Sequence, residues 1–143
     1  MSFTLDLERF AQKVYRKQNA VVRKIVLDVG TSLVFKSPVG DASYWVYPAP
    51  PGYVGGRFRA NWQYGLEMPT SALADIDTSG AATINKMHSG VAFEAAGKLH
   101  FLVNRLAYGP RLERGWSRQA PAGMVGLTVI EFAPIVERAA RGI

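Results

Sequence analysis

The stretch LDLERFAQKVYRKQNAVVRKIVLDVGTSLVF, Leu5 to Phe35, decides how this chain is built. It holds no proline, and its apolar residues Leu7, Phe10, Val14, Val21, Val22, Ile25, Val29 and Leu33 recur mostly three or four apart. That spacing lines up one face of an α-helix, so the pattern predicts a single long helix. Thr4 is placed to cap it, and Asp6 and Glu8 in the first turn suit the positive end of the helix dipole. Gly30 weakens the last turns, and Pro38 ends any helical run. On a helical wheel Arg9, Lys13, Arg16, Lys17, Arg23 and Lys24 share an arc of roughly 120° opposite the apolar stripe. One side of the helix is therefore apolar and the other basic. The basic side reads three ways: as a solvated face, as a dock for an acidic protein, or as a contact for nucleic acid.

Beyond the helix, Pro38, Gly40, Pro48, Pro50, Pro51, Gly52, Gly55 and Gly56 break up the segment 37–56, which predicts a long loop. Tyr44, Trp45, Tyr47 and Tyr53 in that loop are unusual for a solvated linker, so it is expected to pack on its own domain or on a neighbour. Arg57–Glu67 (RFRANWQYGLE) alternates apolar and polar residues and predicts a half-buried strand. In that reading Phe58 and Trp62 face the core, and Arg57 and Arg59 lie on the polar side. Thr78 or Ser79 is expected to cap a short helix over 80–89, and the apolar run Leu99–Val103 suits a buried strand. A helical turn is expected around 108–115. Pro121 occupies a first helical position and opens a last segment, 122–140, read as a helix that Pro134 kinks or breaks. A strand over Met124–Phe132 is the alternative there.

The chain has 143 residues, enough for one core, so a single domain over 1–143 is expected. With 48% hydrophobic and 20% charged residues the composition is that of a globular protein. No apolar run reaches membrane-spanning length, and the first residues lack a signal peptide's basic and apolar regions, so neither a membrane span nor export is expected. Seventeen Lys and Arg against eleven Asp and Glu give a net charge of +6, which favours nucleic acid or acidic protein as a partner. There is no cysteine, which fits a reducing cytoplasm and removes disulfides, thiolate nucleophiles and Cys-based zinc sites. His88 and His100 stand twelve apart with no carboxylate at ligand spacing, so no metal is expected. Asp75 and Asp77 sit in a turn where capping is their usual role, and no nucleophile elbow is present. The glycines of 52–56 precede a strand and are not followed by Gly-Lys-Ser/Thr, so they do not form a phosphate cradle. Neither a cofactor nor an enzymatic activity is expected.

Two blocks carry a resemblance. The first is Ser37-Pro-Val-Gly-Asp41 followed by Pro50-Pro-Gly-Tyr-Val-Gly-Gly-Arg-Phe-Arg-Ala-Asn-Trp62. The second runs from Asn104 to Leu106 and Tyr108, then Leu112-Glu113-x-Gly115-Trp116-Ser117-x-Gln119-Ala120-Pro121-x-Gly123-Met124-Val125. As a pair, with the long first helix, they resemble the tail-completion or head-tail joining proteins of long-tailed bacteriophages, the group that includes minor tail protein Z. The resemblance implies an α+β fold, a small mostly antiparallel sheet flanked by a long N-terminal helix and a C-terminal helix, with the long Pro/Gly-rich loop between. It implies a non-enzymatic structural protein of the virion, assembled in the host cytoplasm into a ring of six at the head-proximal end of the tail. Its partners would be further copies of itself, the tail tube or terminator, and a head-completion or connector protein, with DNA passing through the ring without specific binding. The surfaces expected to meet these partners are the aromatic loop (Tyr44, Trp45, Tyr47, Tyr53), the positions Arg57, Arg59, Tyr108 and Trp116, and the basic helix face at Arg9, Lys13, Arg16 and Lys17. A basic nucleic-acid-binding module is the alternative.

Overall fold

The structure is a computed structural model, and it describes residues 3–40, 51 and 53–142. The chain is α+β. Helix α1 covers Phe3–Lys36 without interruption, as the apolar spacing requires. Thr4 lies inside it rather than capping it, because the helix has already begun at Phe3. Gly30 does not loosen the helix either; it is a point of close approach, where a Cβ would sit 2.6 Å from the Met87 sulfur. A larger residue there would force the Met87 thioether to move aside. Most of the loop expected over 37–56 lies outside the described residues.

The end of α1 organises the segments that come after it. Ser37, nearly fully buried, donates through Oγ to the Leu33 carbonyl at 2.6 Å and accepts the Trp62 indole N–H at 2.7 Å. Arg59 reaches the same place: Nε donates to the Ser37 carbonyl at 2.9 Å, Nη2 to the Phe35 carbonyl at 3.4 Å and Nη1 to the Thr78 carbonyl at 2.8 Å. A helix end has carbonyls with no partner of their own, and here an indole-linked serine and a guanidinium answer them.

Those contacts explain why the strand expected over 57–67 forms only in part. Residues Arg57–Ala60 make a single helical turn, α2, and strand β1 is confined to Trp62–Gly65. Phe58 and Trp62 are four apart, a spacing that satisfies both a strand's period of two and a helix's i, i+4 neighbourhood. The helical solution brings their rings edge to face at 5.9 Å and points Arg59 at α1. Asn61, fully buried, locks the corner: its side-chain amide donates to the Arg57 and Leu73 carbonyls and its Oδ1 accepts the Leu73 N–H.

Helix α3 covers Ala81–Gly90. Its N-terminus is held mainly by Asp77, whose carboxylate accepts from Gly80 N–H, Thr83 N–H and the Thr83 hydroxyl at 2.7 to 3.0 Å, while Ser79, one of the two residues expected to cap, accepts the Ala81 N–H through Oγ at 3.2 Å from just before the N-cap residue Gly80. Strand β2, Phe101–Asn104, pairs antiparallel with β1 in the register Trp62↔Asn104 to Gly65↔Phe101. Leu99 falls outside it and is largely exposed, and all four residues of β2 are only half-buried, so the strand is shorter and less covered than the hydropathy of Leu99–Val103 indicates. Helix α4 is the turn Gly109–Glu113.

The C-terminal segment is helical, in two pieces: α5 (Val125–Ile130) and α6 (Phe132–Arg141). Pro134 causes the division, but four residues upstream of itself. A proline cannot bond the carbonyl of residue i−4 and its ring collides with it, so α5 stops at Ile130 and Pro134 falls in the first turn of α6, where no donor is needed. Pro121 does not open the helix; a turn separates it from Val125. Lys36 ties the junction to α1, pairing with Glu131 at 2.8 Å and touching Ser32, while Ser32 shares a hydrogen bond with Thr128 at 3.2 Å.

The core gathers Leu33 and Val34 of α1, Phe58, Trp62, Met87, Leu106, Ala120 and Met124. The first half of α1 takes no part: every residue from Thr4 to Gln18 is exposed, and burial begins at Asn19, whose Oδ1 accepts the Ala96 N–H at 2.9 Å. Among the described residues no helix is long and apolar enough to cross a membrane.

Trp62 both fills the core and bonds Ser37. Trp62→Ala should therefore destabilise the fold by roughly 3 to 5 kcal/mol, the range for truncating a buried aromatic, measured as a lowered denaturant midpoint. An unchanged midpoint would mean that the indole does not hold α1.

Candidate functional site

The two sequence blocks that carry the resemblance meet in space. Gln119 spans the gap with its side-chain amide, donating through Nε2 to the Val39 carbonyl at 2.7 Å and accepting the Val39 N–H at 2.9 Å. This is the pairing a neighbouring strand would give, made by one side chain. It holds the segment after α1 against the segment after α4, and between them lies a cleft of about 730 Å³. One wall is formed by Pro38, Val39, Gly40, Tyr53, Val54 and Arg57, and the other by Tyr108, Leu112, Trp116, Ser117, Arg118 and Gln119. Phe58 closes the floor and touches Tyr108, with ring centroids 6.0 Å apart.

The far wall is held rigid by Glu113. Its carboxylate accepts three consecutive backbone N–H groups, from Met124, Val125 and Gly126, at 2.8 to 3.0 Å. A helix N-terminus offers unpaired donors and a positive dipole end, and Glu113 meets both from eleven residues away. Burial alone raises the carboxyl's pKa, but the three N–H bonds outweigh it and hold Glu113 below its ordinary value. Gly123 makes the approach possible: its φ is 80°, and a Cβ there would collide with the Glu113 carbonyl. The closing motif Leu112-Glu113-x-Gly115 to Gly123-Met124-Val125 is thus a capping device that fixes the Trp116 loop.

The rim is aromatic and basic. Trp116 is 70% exposed and lies beneath the Arg111 guanidinium, 5.1 Å from the ring centre. Tyr108 and Tyr53 are each about two-fifths exposed. Burial raises the Tyr108 phenol above its usual range, with Arg57 opposing and Tyr53 adding to the rise. Arg57 is exposed at the edge and donates through Nε to the Leu73 carbonyl.

Of the positions the sequence singles out, Tyr53, Arg57, Tyr108 and Trp116 come together here. Arg59 does not: its guanidinium is spent on the end of α1, which corrects its place on a polar strand face. Arg9, Lys13, Arg16 and Lys17 lie apart, on the exposed half of α1. Tyr44, Trp45 and Tyr47 fall outside the described residues. Sequence reasoning missed Arg118 and Val39 as parts of the cleft; Val39 has no chemistry of its own and joins through its backbone. Gln119 was visible only as a member of the second block.

The remaining candidates serve the fold. His100 Nε2 donates to the Ala95 carbonyl at 2.8 Å, and Nδ1 shares a hydrogen bond with the Tyr64 hydroxyl at 2.7 Å. Asp75 pairs with Lys86. Among the described residues no three His, Asp or Glu side chains gather where a metal ion could be held. Compared with protein-family models, curated proteins and solved structures, the chain has no match.

The Glu113 cap gives a pH signature. Because its folded pKa lies below the ordinary value of 4.5, its contribution is complete above that pH and is lost as pH falls through the folded value. Glu113→Gln should cost about 0.5 to 2 kcal/mol at neutral pH, the range for a lost cap, and should flatten the acid limb of the stability curve. Denaturation series at several pH values check this; parallel curves for the two proteins would refute the cap.

Proposed function

We propose that this chain is a structural protein of a long-tailed bacteriophage virion, a tail-completion protein that forms a ring, of six copies, at the head-proximal end of the tail and takes part in joining tail to capsid. The observation that carries this reading is the convergence of the two resembling blocks on one cleft with Tyr53, Tyr108 and Trp116 on its rim. Outward-facing aromatic rings beside arginines are the composition of protein interfaces, where Trp, Tyr and Arg supply most of the binding energy. Among the described residues the titratable groups lining the cleft are Tyr53, Arg57, Tyr108 and Arg118, which suit a protein contact, and in this reading the cleft receives a neighbouring subunit, the tail tube or terminator, or the connector. DNA would traverse the ring without being read.

A second reading, a basic nucleic-acid-binding module, draws on the exposed Lys13, Arg16 and Lys17 together with the net charge of +6. It requires DNA affinity that falls steeply with salt.

The test is genetic and visual. Tyr108→Ala combined with Trp116→Ala removes the rim and leaves the core, so the variant should fold. In a complementation assay it should yield separate full heads and tails and few infectious particles. Negative-stain images of the parent protein should show rings, alone or on tail tubes. Normal titres from the folded variant, or a parent protein that never joins a tail, would overturn the reading.

A further inference from the structure

The exposed half of α1 carries an apolar stripe that the rest of the chain covers only in part. Leu7, Phe10, Val14 and Val21 fall on the a and d positions of a heptad, and the one remaining d position, at the border of the basic face, is Lys17. Helix α6 packs antiparallel on α1 over the later part of this stripe, with Glu131 beside Lys36 at one end and Ala140 near Val21 and Val22 at the other. There α6 stops, leaving a cavity of about 370 Å³ bounded by Val14, Lys17, Gln18, Val21, Val22 and Ala140. Past that point Leu7 and Phe10 are 54% and 65% exposed. The stripe continues, and among the described residues its cover does not.

We propose that the arms of two copies of this chain pair antiparallel, with Leu7 of each against Phe10 of the other and Asp6 of each opposite Lys13 of the other. Charge selects both the occupant and its direction. The arm's acids, Asp6 and Glu8, lie in its first turns, and its bases, Arg9, Lys13, Arg16 and Lys17, come next along the helix. Aligned head to head, two arms set like charges side by side; aligned head to tail, the acidic start of each meets the basic stretch of the other. In heptad terms Asp6 and Lys13 each stand immediately before an a position, Leu7 and Val14. Stacking Leu7 on Phe10 of the second arm puts Asp6 and its Lys13 between the same two layers, and the two-fold symmetry makes that pair twice. An acidic partner protein would find Asp6 and Glu8 repelling it at the arm's tip. The antiparallel direction is the one α6 already takes on this stripe.

The paired length, residues 3–14 of each arm, is about 18 Å. That is short for a standard interface of roughly 800 Å² per partner, so the pairing is weak and concentration-dependent. It does not rest on the virion reading. A two-fold contact of this kind would link protomers, or rings, in addition to whatever closes a ring.

Sedimentation of the purified chain over a wide concentration range tests it. The mass should rise from 15.7 kDa toward twice that value. Phe10→Glu should move the midpoint to at least about tenfold higher concentration, the scale expected for a charge placed in an interface centre, without lowering the melting temperature, since Phe10 touches no core. Asp6→Lys should weaken pairing, and Asp6→Lys with Lys13→Asp should restore it. An unchanged midpoint in Phe10→Glu, failure of the double exchange to restore pairing, or association seen only with added DNA would each overturn the proposal. The two readings separate cleanly. Rings whose assembly ignores Phe10→Glu, with no Phe10-dependent dimer, remove the arm pairing and leave the ring. Phe10-dependent dimers with no ring on tails remove the ring and leave the pairing.

Discussion

At the carboxyl end of α1, Leu33, Val34 and the following Ser37 are buried, and a helix end leaves its last carbonyls without partners inside the helix. Burying them bare costs on the order of 1 to 3 kcal/mol each. This constraint governs the fold. Trp62 acts through Ser37, and Arg59 acts directly on the Phe35 and Ser37 carbonyls, so one short segment supplies both answers. To supply them it must turn once as α2 before becoming β1. Arg59 then carries the connection on to the Thr78 carbonyl, beside the Asp77 cap from which α3 starts, and α3 packs back on α1 at Gly30. Burial of α1, among the described residues, begins at Asn19 and runs to its carboxyl end.

Much of this is legible in the residues alone. The proline-free apolar repeat gives α1 almost to its ends, Pro38 marks where it must stop, and Asp77 is readable as a capping residue. The features that the sequence hides are decided by tertiary partners. Phe58 and Trp62 fit two periodicities at once, and the choice between them depends on a helix end more than twenty residues earlier. The start of α5 depends on Glu113, remote from the Pro121 that local rules favour. Pro134 is a breaker as expected, yet its effect falls on Ile130 because the clash is with residue i−4. The apolar stripe of α1 looks core-facing throughout, although periodicity alone cannot say how much of a stripe the rest of the chain is long enough to cover.

The same view sorts the two resembling blocks. Arg59, Asn61, Trp62, Glu113, Gln119 and Gly123 are occupied with holding segments to one another. Tyr53, Arg57, Tyr108 and Trp116 face outward. The functional reading therefore leans on the outward minority and on where the architecture puts it. Exposed aromatic rings at a cleft and an uncovered helical arm leave this small chain with two faces suited to contact other molecules.

Because α1 is buried only from Asn19 onward among the described residues, its stability must be divided along its length. Native-state hydrogen exchange at concentrations too low for self-association measures this directly. The amides of Val26–Phe35 should exchange only through global unfolding, with protection that collapses in Trp62→Ala, while those of Arg9–Gln18 exchange orders of magnitude faster by fraying that ignores the substitution. Uniform protection along α1, or an arm that loses protection together with its carboxyl end, would contradict the account.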